Sequence, residues 1–142
     1  MLGGPARGSF KVTYDVHDDI LRLEYIGRMT SDLTLVAADA TFTIPGIGAG
    51  TRVLAVYLKA EIDEIDLAAL IAYQAYKADK GYPNLPAATV VADIPGHLAM
   101  AALWAATKPG GRDGGAGVFT DEASARAWLL AGRCSRTGED AS

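Results

Sequence analysis

The chain has 142 residues, half of them hydrophobic, which suits one domain around a single packed core. A formal net charge of −4, without a basic stripe interleaved with aromatics, argues against nucleic acid, whose binding rests on neutralising phosphates. Cys134 is the only cysteine, which removes an internal disulfide and a cysteine-based zinc cluster from consideration.

The N-terminal stretch from Met1 to Phe10 is glycine-rich and lacks the apolar segment of a secretory signal. The longest strongly apolar run, Val53 to Leu58, is far too short to cross a bilayer. A cytoplasmic protein with no transmembrane segment is the expectation, peripheral membrane contact remaining open. Residues 1–9 are expected to be a disordered leader, 10–133 the domain and 134–142 a disordered, solvated tail.

Phe10, Val12, Tyr14 and Val16 alternate with Lys11, Thr13 and Asp15, the period of a half-exposed strand. His17-Asp18-Asp19 supplies a turn, and Leu21, Leu23 and Tyr25 continue the alternation, so the pair reads as an antiparallel hairpin. From Thr30 or Ser31 the period becomes helical, with Leu33, Val36, Ala37 and Ala40 on one face and Pro45-Gly46 as the stop. Arg52 to Leu58 reads as a central strand covered on both faces. Asp63 or Asp66 would cap a second helix whose inner stripe is Leu67, Leu70 and Ile71, ending before Gly81-Tyr82-Pro83. Ala88 to Ala92 is a further buried strand, and Pro95 opens a third helix with Met100, Leu103 and Trp104 facing inward. A last strand runs through Val118 and Phe119. Thr120 would cap the closing helix, Asp121 and Glu122 suit its first turn, Ala125, Trp128 and Leu129 form its buried stripe, and Gly132 would end it. The order predicts an α/β domain with a mixed sheet.

Two glycine-rich stretches, Pro45 to Gly50 and Lys108 to Gly115, invite a nucleotide reading. Both follow a helix and precede a strand, whereas a phosphate cradle follows a strand and opens a helix. They read as loops, with Lys108 and Arg112 as weakly specified anion ligands. The strand-to-helix junctions, where α/β proteins place their sites, carry Lys59, Glu61, Asp63, Glu64, Asp66, Asp93, His97 and Asp121. Asp63, Asp66 and Asp121 are of cap type and Glu61 and Glu64 read as solvated, no metal-ligand spacing is present, and no nucleophile motif is found. Neither a metal nor another cofactor is expected. His97, in the first turn of its helix, reads first as a surface histidine, and with an acid such as Asp93 it is a candidate acid–base pair.

The aromatics offer a different reading. Tyr57 ends the central strand, Tyr73 and Tyr76 ride the second helix, and Trp104 lies on the third. They either complete the core or line an apolar cleft.

The element order, the Arg52-Val53-Leu54-Ala55-Val56-Tyr57-Leu58 strand and the closing Val118-Phe119-Thr120-Asp121-Glu122-Ala123 … Ala127-Trp128-Leu129 resemble the SpoIIAA-like family. That family belongs to the STAS superfamily and is related in shape to Sec14-type lipid-carrying domains. The resemblance spans about residues 10–132. It implies a single domain with a mixed sheet, an N-terminal hairpin and about four flanking helices. It also implies binding of apolar ligands, membranes or protein partners. Anti-sigma-factor antagonists of the superfamily carry a phosphorylatable serine after the central strand. Here that stretch is Asp63-Glu64-Ile65-Asp66-Leu67, without a hydroxyl, so a phospho-switch is not expected.

The leading expectation is a non-enzymatic binding domain for a small apolar or amphipathic, lipid-like ligand held between the helices after the central strand and the next. Tyr57, Tyr73, Tyr76 and Trp104 would form its walls, with Lys59 or His97 fixing a polar head. The alternative is a protein-interaction module or homodimer. A small enzyme using His97 and Asp93 is the third reading.

Overall fold

The computed structural model describes residues 8–48, 50–62, 64–108 and 115–141, with side chains described up to residue 131. Strands β1 (Ser9–Asp15) and β2 (Ile20–Arg28) form the expected antiparallel hairpin. Helix α1 (Ser31–Phe42), strand β3 (Arg52–Glu61), α2 (Leu67–Lys80), β4 (Ala87–Val90), α3 (Pro95–Thr107), β5 (Ala116–Phe119) and α4 (Glu122–Ala141) follow in order. The strands make one mixed sheet in the order β1-β2-β3-β4-β5, parallel from β2 onward.

Strand order decides the layering. Each parallel crossover steps one place in the same direction, and right-handed crossovers then put α1, α2 and α3 side by side on one face. Their neighbour contacts run α1 to α2 and α2 to α3, while α4 packs on β3, β4 and β5. Two core faces result. Leu21, Leu23, Tyr25, Val53 and Ala55 are buried under the three-helix layer, and Ile20, Leu54, Val56, Ala88 and Val90 meet Ala125 and Leu129 of α4. Odd and even positions divide between the faces, as the strand pleat requires.

The helix starts follow local chemistry. Thr30 Oγ1 accepts from the Leu33 N–H, and Asp66 Oδ1 accepts from the Ala69 N–H. Gly81, at φ 74°, ends α2 in the left-handed region that a side chain would resist. For the closing helix the cap is Asp121, which accepts from the Ser124 N–H at 2.7 Å, one residue later than the expected Thr120. Gly132 does not stop α4, which continues to Ala141 through the stretch expected to be a disordered tail. A single glycine inside a helix costs only about 1 kcal/mol relative to alanine, and no proline follows it. Asp63 and residues 1–7 lie outside the described residues.

Helix α4 is tied down by charge as well as by apolar contact. Arg22 reaches from β2 to Glu122 in a two-pronged ion pair of 2.7 and 2.9 Å, and Arg126 meets Asp18 at 3.0 Å. Asp18 and Asp19 are also part of the hairpin turn that holds β3. The Asp18 carbonyl accepts from Arg52 Nη2 at 2.6 Å, and Asp19 Oδ1 accepts from Tyr14 and Thr51.

Three helices bury less than their apolar spacing predicts. Leu67 and Ile71 of α2 are 47% and 55% exposed, while Leu70 between them is buried. Val36 of α1 and Leu103 of α3 are likewise exposed. Helices lying in a row on a sheet bury only the narrow stripe that faces the strands and their neighbours. In α2 that stripe is Leu70, Tyr73 and Lys77. Trp128 of α4 sits at the edge of its face, packed on Phe119 at 5.6 Å. Leu129, only 2% exposed, is the anchor of α4. Leu129→Ala is expected to lower unfolding free energy by about 2–4 kcal/mol, measured by urea denaturation.

Candidate functional site

The site begins with an irregularity in β3. The β2–β3 register pairs Glu24 with Val56 but Ile26 with Lys59, so Tyr57 and Leu58 together oppose Tyr25. This is a β-bulge, and it interrupts the alternation of faces. Val53, Ala55 and Tyr57 belong to the three-helix face, and beyond the bulge so does Ala60. Lys59, two residues after Tyr57, would share its face in a regular strand. The bulge instead sets it opposite Ile26, and it is exposed.

Tyr57 enters a layer of rings. It stacks on Tyr25 at 5.0 Å, and Tyr73 of α2 packs against Trp104 of α3 at 4.8 Å. Burial pushes the phenols of Tyr25, Tyr57 and Tyr73 above the ordinary tyrosine range. Tyr57 and Trp104 form a wall with a void on either side, since both residues line both voids.

The first void is a crevice at the C-terminal edge of the parallel strands. Met29, Thr34, Ile62, Ile65, Leu70, Thr89, Val91, Met100 and Ala101 complete its lining. No charged side chain is among them. Its cavity is about 30 Å³, and its void with the open mouth counted is about 410 Å³. A buried water needs on the order of 10–15 Å³, so the interior holds one or two small groups and a longer body would extend into the mouth. The carboxyl edge of the strands is where open α/β sheets bind ligands, although this sheet lacks the reversal of strand order at which such sites usually form.

The second void lies behind the ring layer, nearer the starts of β3 and β4. Phe42, Tyr73, Leu85, Gln74, Lys77 and Lys108 join Tyr57 and Trp104 there, again around about 30 Å³. Lys77 and Lys108 are 7% and 4% exposed. The Lys77 ammonium lies 5.0 Å from the Phe42 ring centroid and 5.1 Å from that of Tyr73. Lys108 Nζ donates to Asn84 Oδ1. Among the described residues, both amide atoms of Gln74 are buried without a hydrogen-bond partner. Burial, then the charge of Lys108, brings the Lys77 amine down to about 8, and burial also lowers Lys108.

The other expected site residues stand apart from both voids. Tyr76 faces α1, where its hydroxyl donates to Asp39 at 2.8 Å beside that of Tyr82 at 2.6 Å. These bonds hold the Asp39 carboxyl below its usual range and push Tyr82 up to about 12. The cluster joins α1 to α2 and to the segment after it. His97, in the first turn of α3, has a buried Nδ1 without a partner among the described residues. No hydrogen bond joins it to the exposed Asp93 among those residues. The described residues also contain no cluster of three metal-ligating side chains. Arg112, the other expected anion ligand, lies outside the described residues.

Lys77 was absent from the expected site, yet its spacing carries a signal. It stands seven residues after Leu70 and four after Tyr73, on the buried stripe of α2, where a lysine interrupts an apolar pattern. Comparison with protein-family models, curated proteins and solved structures yields no match.

The lysine pair gives a pH signature. An unfolded lysine titrates near 10.5 and folded Lys77 near 8, so between these values the unfolded state holds more protons and stability rises with pH. The gain from Lys77 is on the order of 3 kcal/mol, and Lys108 adds in the same direction. Above pH 10 unfolded tyrosines ionise while the buried ones stay protonated, which reverses the trend. Urea denaturation from pH 7 to pH 10 should show the rise. Lys77→Met should flatten it and be about 1–3 kcal/mol more stable at pH 7, since a buried charge without a counterion is costly.

Proposed function

We propose that the chain is a non-enzymatic binding domain of SpoIIAA-like type whose ligand is a small apolar or amphipathic molecule. The ligand occupies the crevice between α2 and α3. The observation that carries this reading is a crevice without a charged side chain among the described residues that line it, open at the sheet edge where α/β proteins bind ligands, with Tyr57 and Trp104 as its inner wall. Nothing in the lining activates a nucleophile or moves a proton. Met29 and Met100 bring unbranched, polarisable side chains that adapt to ligands of different shape. The amphipathic part of the reading rests on the mouth, where a polar end stays in water while the apolar body leaves it.

A second reading is an interaction module, favoured by the exposed Leu67, Ile71, Val36 and Leu103 on the helices. Isolated apolar surface residues are ordinary, but several on neighbouring helices suit a partner or a second copy.

The methionines provide the test. The chain has three, Met1, Met29 and Met100, and the latter two line the crevice. In protein labelled with ¹³C at the methionine methyls, 1-octanol is expected to shift the Met29 and Met100 signals saturably and leave Met1 in place. Unmoved Met29 and Met100 signals contradict the crevice reading. A mass that rises with concentration in sedimentation, and falls in Leu67→Lys/Ile71→Lys, would then favour the module.

A further inference from the structure

The void behind the ring layer has a different chemistry from the crevice. Two lysines are buried there, and no carboxylate is among the described residues that line it. The Lys77 ammonium meets only ring faces, and no hydrogen bond or ion pair to it is present among the described residues. A buried ammonium without a counterion is expensive, and aromatic faces recover only part of its lost hydration. Gln74, one turn before Lys77 on α2, adds an N–H₂ group with no acceptor. Two donors, the Lys77 ammonium and the Gln74 N–H₂, thus request the same thing, an acceptor, and the lysine requests one with negative charge.

We propose that this chamber is a second ligand site, which takes the carboxylate of a small organic acid between the Lys77 ammonium and the Gln74 amide. A carboxylate presents two acceptor oxygens, one for each donor. Its single charge balances Lys77, while Lys108, held by Asn84, strengthens the field from the end of α3. The cavity of about 30 Å³ admits a head of that size, and the surrounding Phe42, Tyr73 and Trp104 rings suit an apolar or flat body. The mostly apolar wall makes the charge interaction stronger than it would be in water. A phosphate, with more charge and more oxygens, would leave acceptors unpaired there. The site is independent of the apolar crevice, from which Tyr57 and Trp104 separate it.

The test uses the full chain and three probes: benzoate, its neutral counterpart benzamide, and inorganic phosphate. The readout is the Gln74 side-chain amide in ¹H–¹⁵N spectra. Benzoate is expected to shift it at about tenfold lower concentration than benzamide or phosphate, as a charge-assisted hydrogen bond implies. Lys77→Met should weaken benzoate about tenfold and leave benzamide unchanged. Equal response to benzoate and benzamide, equal response to phosphate, no response to benzoate, or unimpaired benzoate binding by Lys77→Met would each overturn the proposal. A measurement on the unaltered chain guards against misfolding of the variant. The titratable groups facing Lys77 are Lys108 at the end of α3, Tyr73 of α2, and Tyr25 and Tyr57 of the sheet. The Lys77 ¹³Cε titration, with a midpoint of about 8 in the free protein, should move upward with benzoate bound. An unmoved midpoint would overturn the proposal. The Met29 and Met100 methyls report on the crevice separately.

Discussion

Everything in this molecule follows from a sheet whose parallel strands advance in one direction without reversing. That order forces three crossover helices onto the same face and leaves the other to α4. The crowded face must be filled by side chains long enough to bridge strands and helices. Four rings, Tyr25, Tyr57, Tyr73 and Trp104, do this at the centre. On either side of them the filling is incomplete, and the two voids are the consequence. The β-bulge at Tyr57 and Leu58 adds to the same arrangement, because just beyond the central ring it turns Lys59 out to solvent and Ala60 in.

The two faces of the sheet differ accordingly. Under α4 the buried contacts are mainly aliphatic, with Ala125, Leu129, Val56 and Val90 buried, Phe119 and Trp128 at one edge and an Arg22–Glu122 ion pair at the rim. Under the three-helix layer lie the buried Lys77 and Lys108 and the Gln74 amide, whose two buried atoms have no hydrogen-bond partner among the described residues. Groups of that kind work against stability where they lie, since protein interiors pair their polar atoms.

Much of the fold was legible in the sequence. The hairpin alternation from Phe10 to Tyr25, the Asp66 cap, Pro95 at the start of α3 and Gly81 after α2 each express a local rule that tertiary structure left intact. What was illegible depended on distant neighbours. Leu67, Leu70 and Ile71 share a helical face by spacing, but only Leu70 meets the sheet. No local pattern announces a bulge, so Lys59 could not be separated from Tyr57. Tyr76 carries the same aromatic signal as Tyr73, yet three residues of helical rotation bring it to Asp39 instead of Trp104. Lys77 was readable as a charge on an apolar stripe. Lys108, noted only as part of a glycine-rich loop, becomes meaningful once the fold brings it beside the same chamber.

The central claim is that the three-helix face receives small molecules on one or both sides of its aromatic wall. Native mass spectrometry tests it most directly, on the full chain purified without detergent and compared with the same sample denatured. The account predicts an added mass that vanishes on denaturation, belonging to an apolar molecule or a small organic acid. A bare chain mass, both as purified and after incubation with saturating 1-octanol and benzoate, would contradict it.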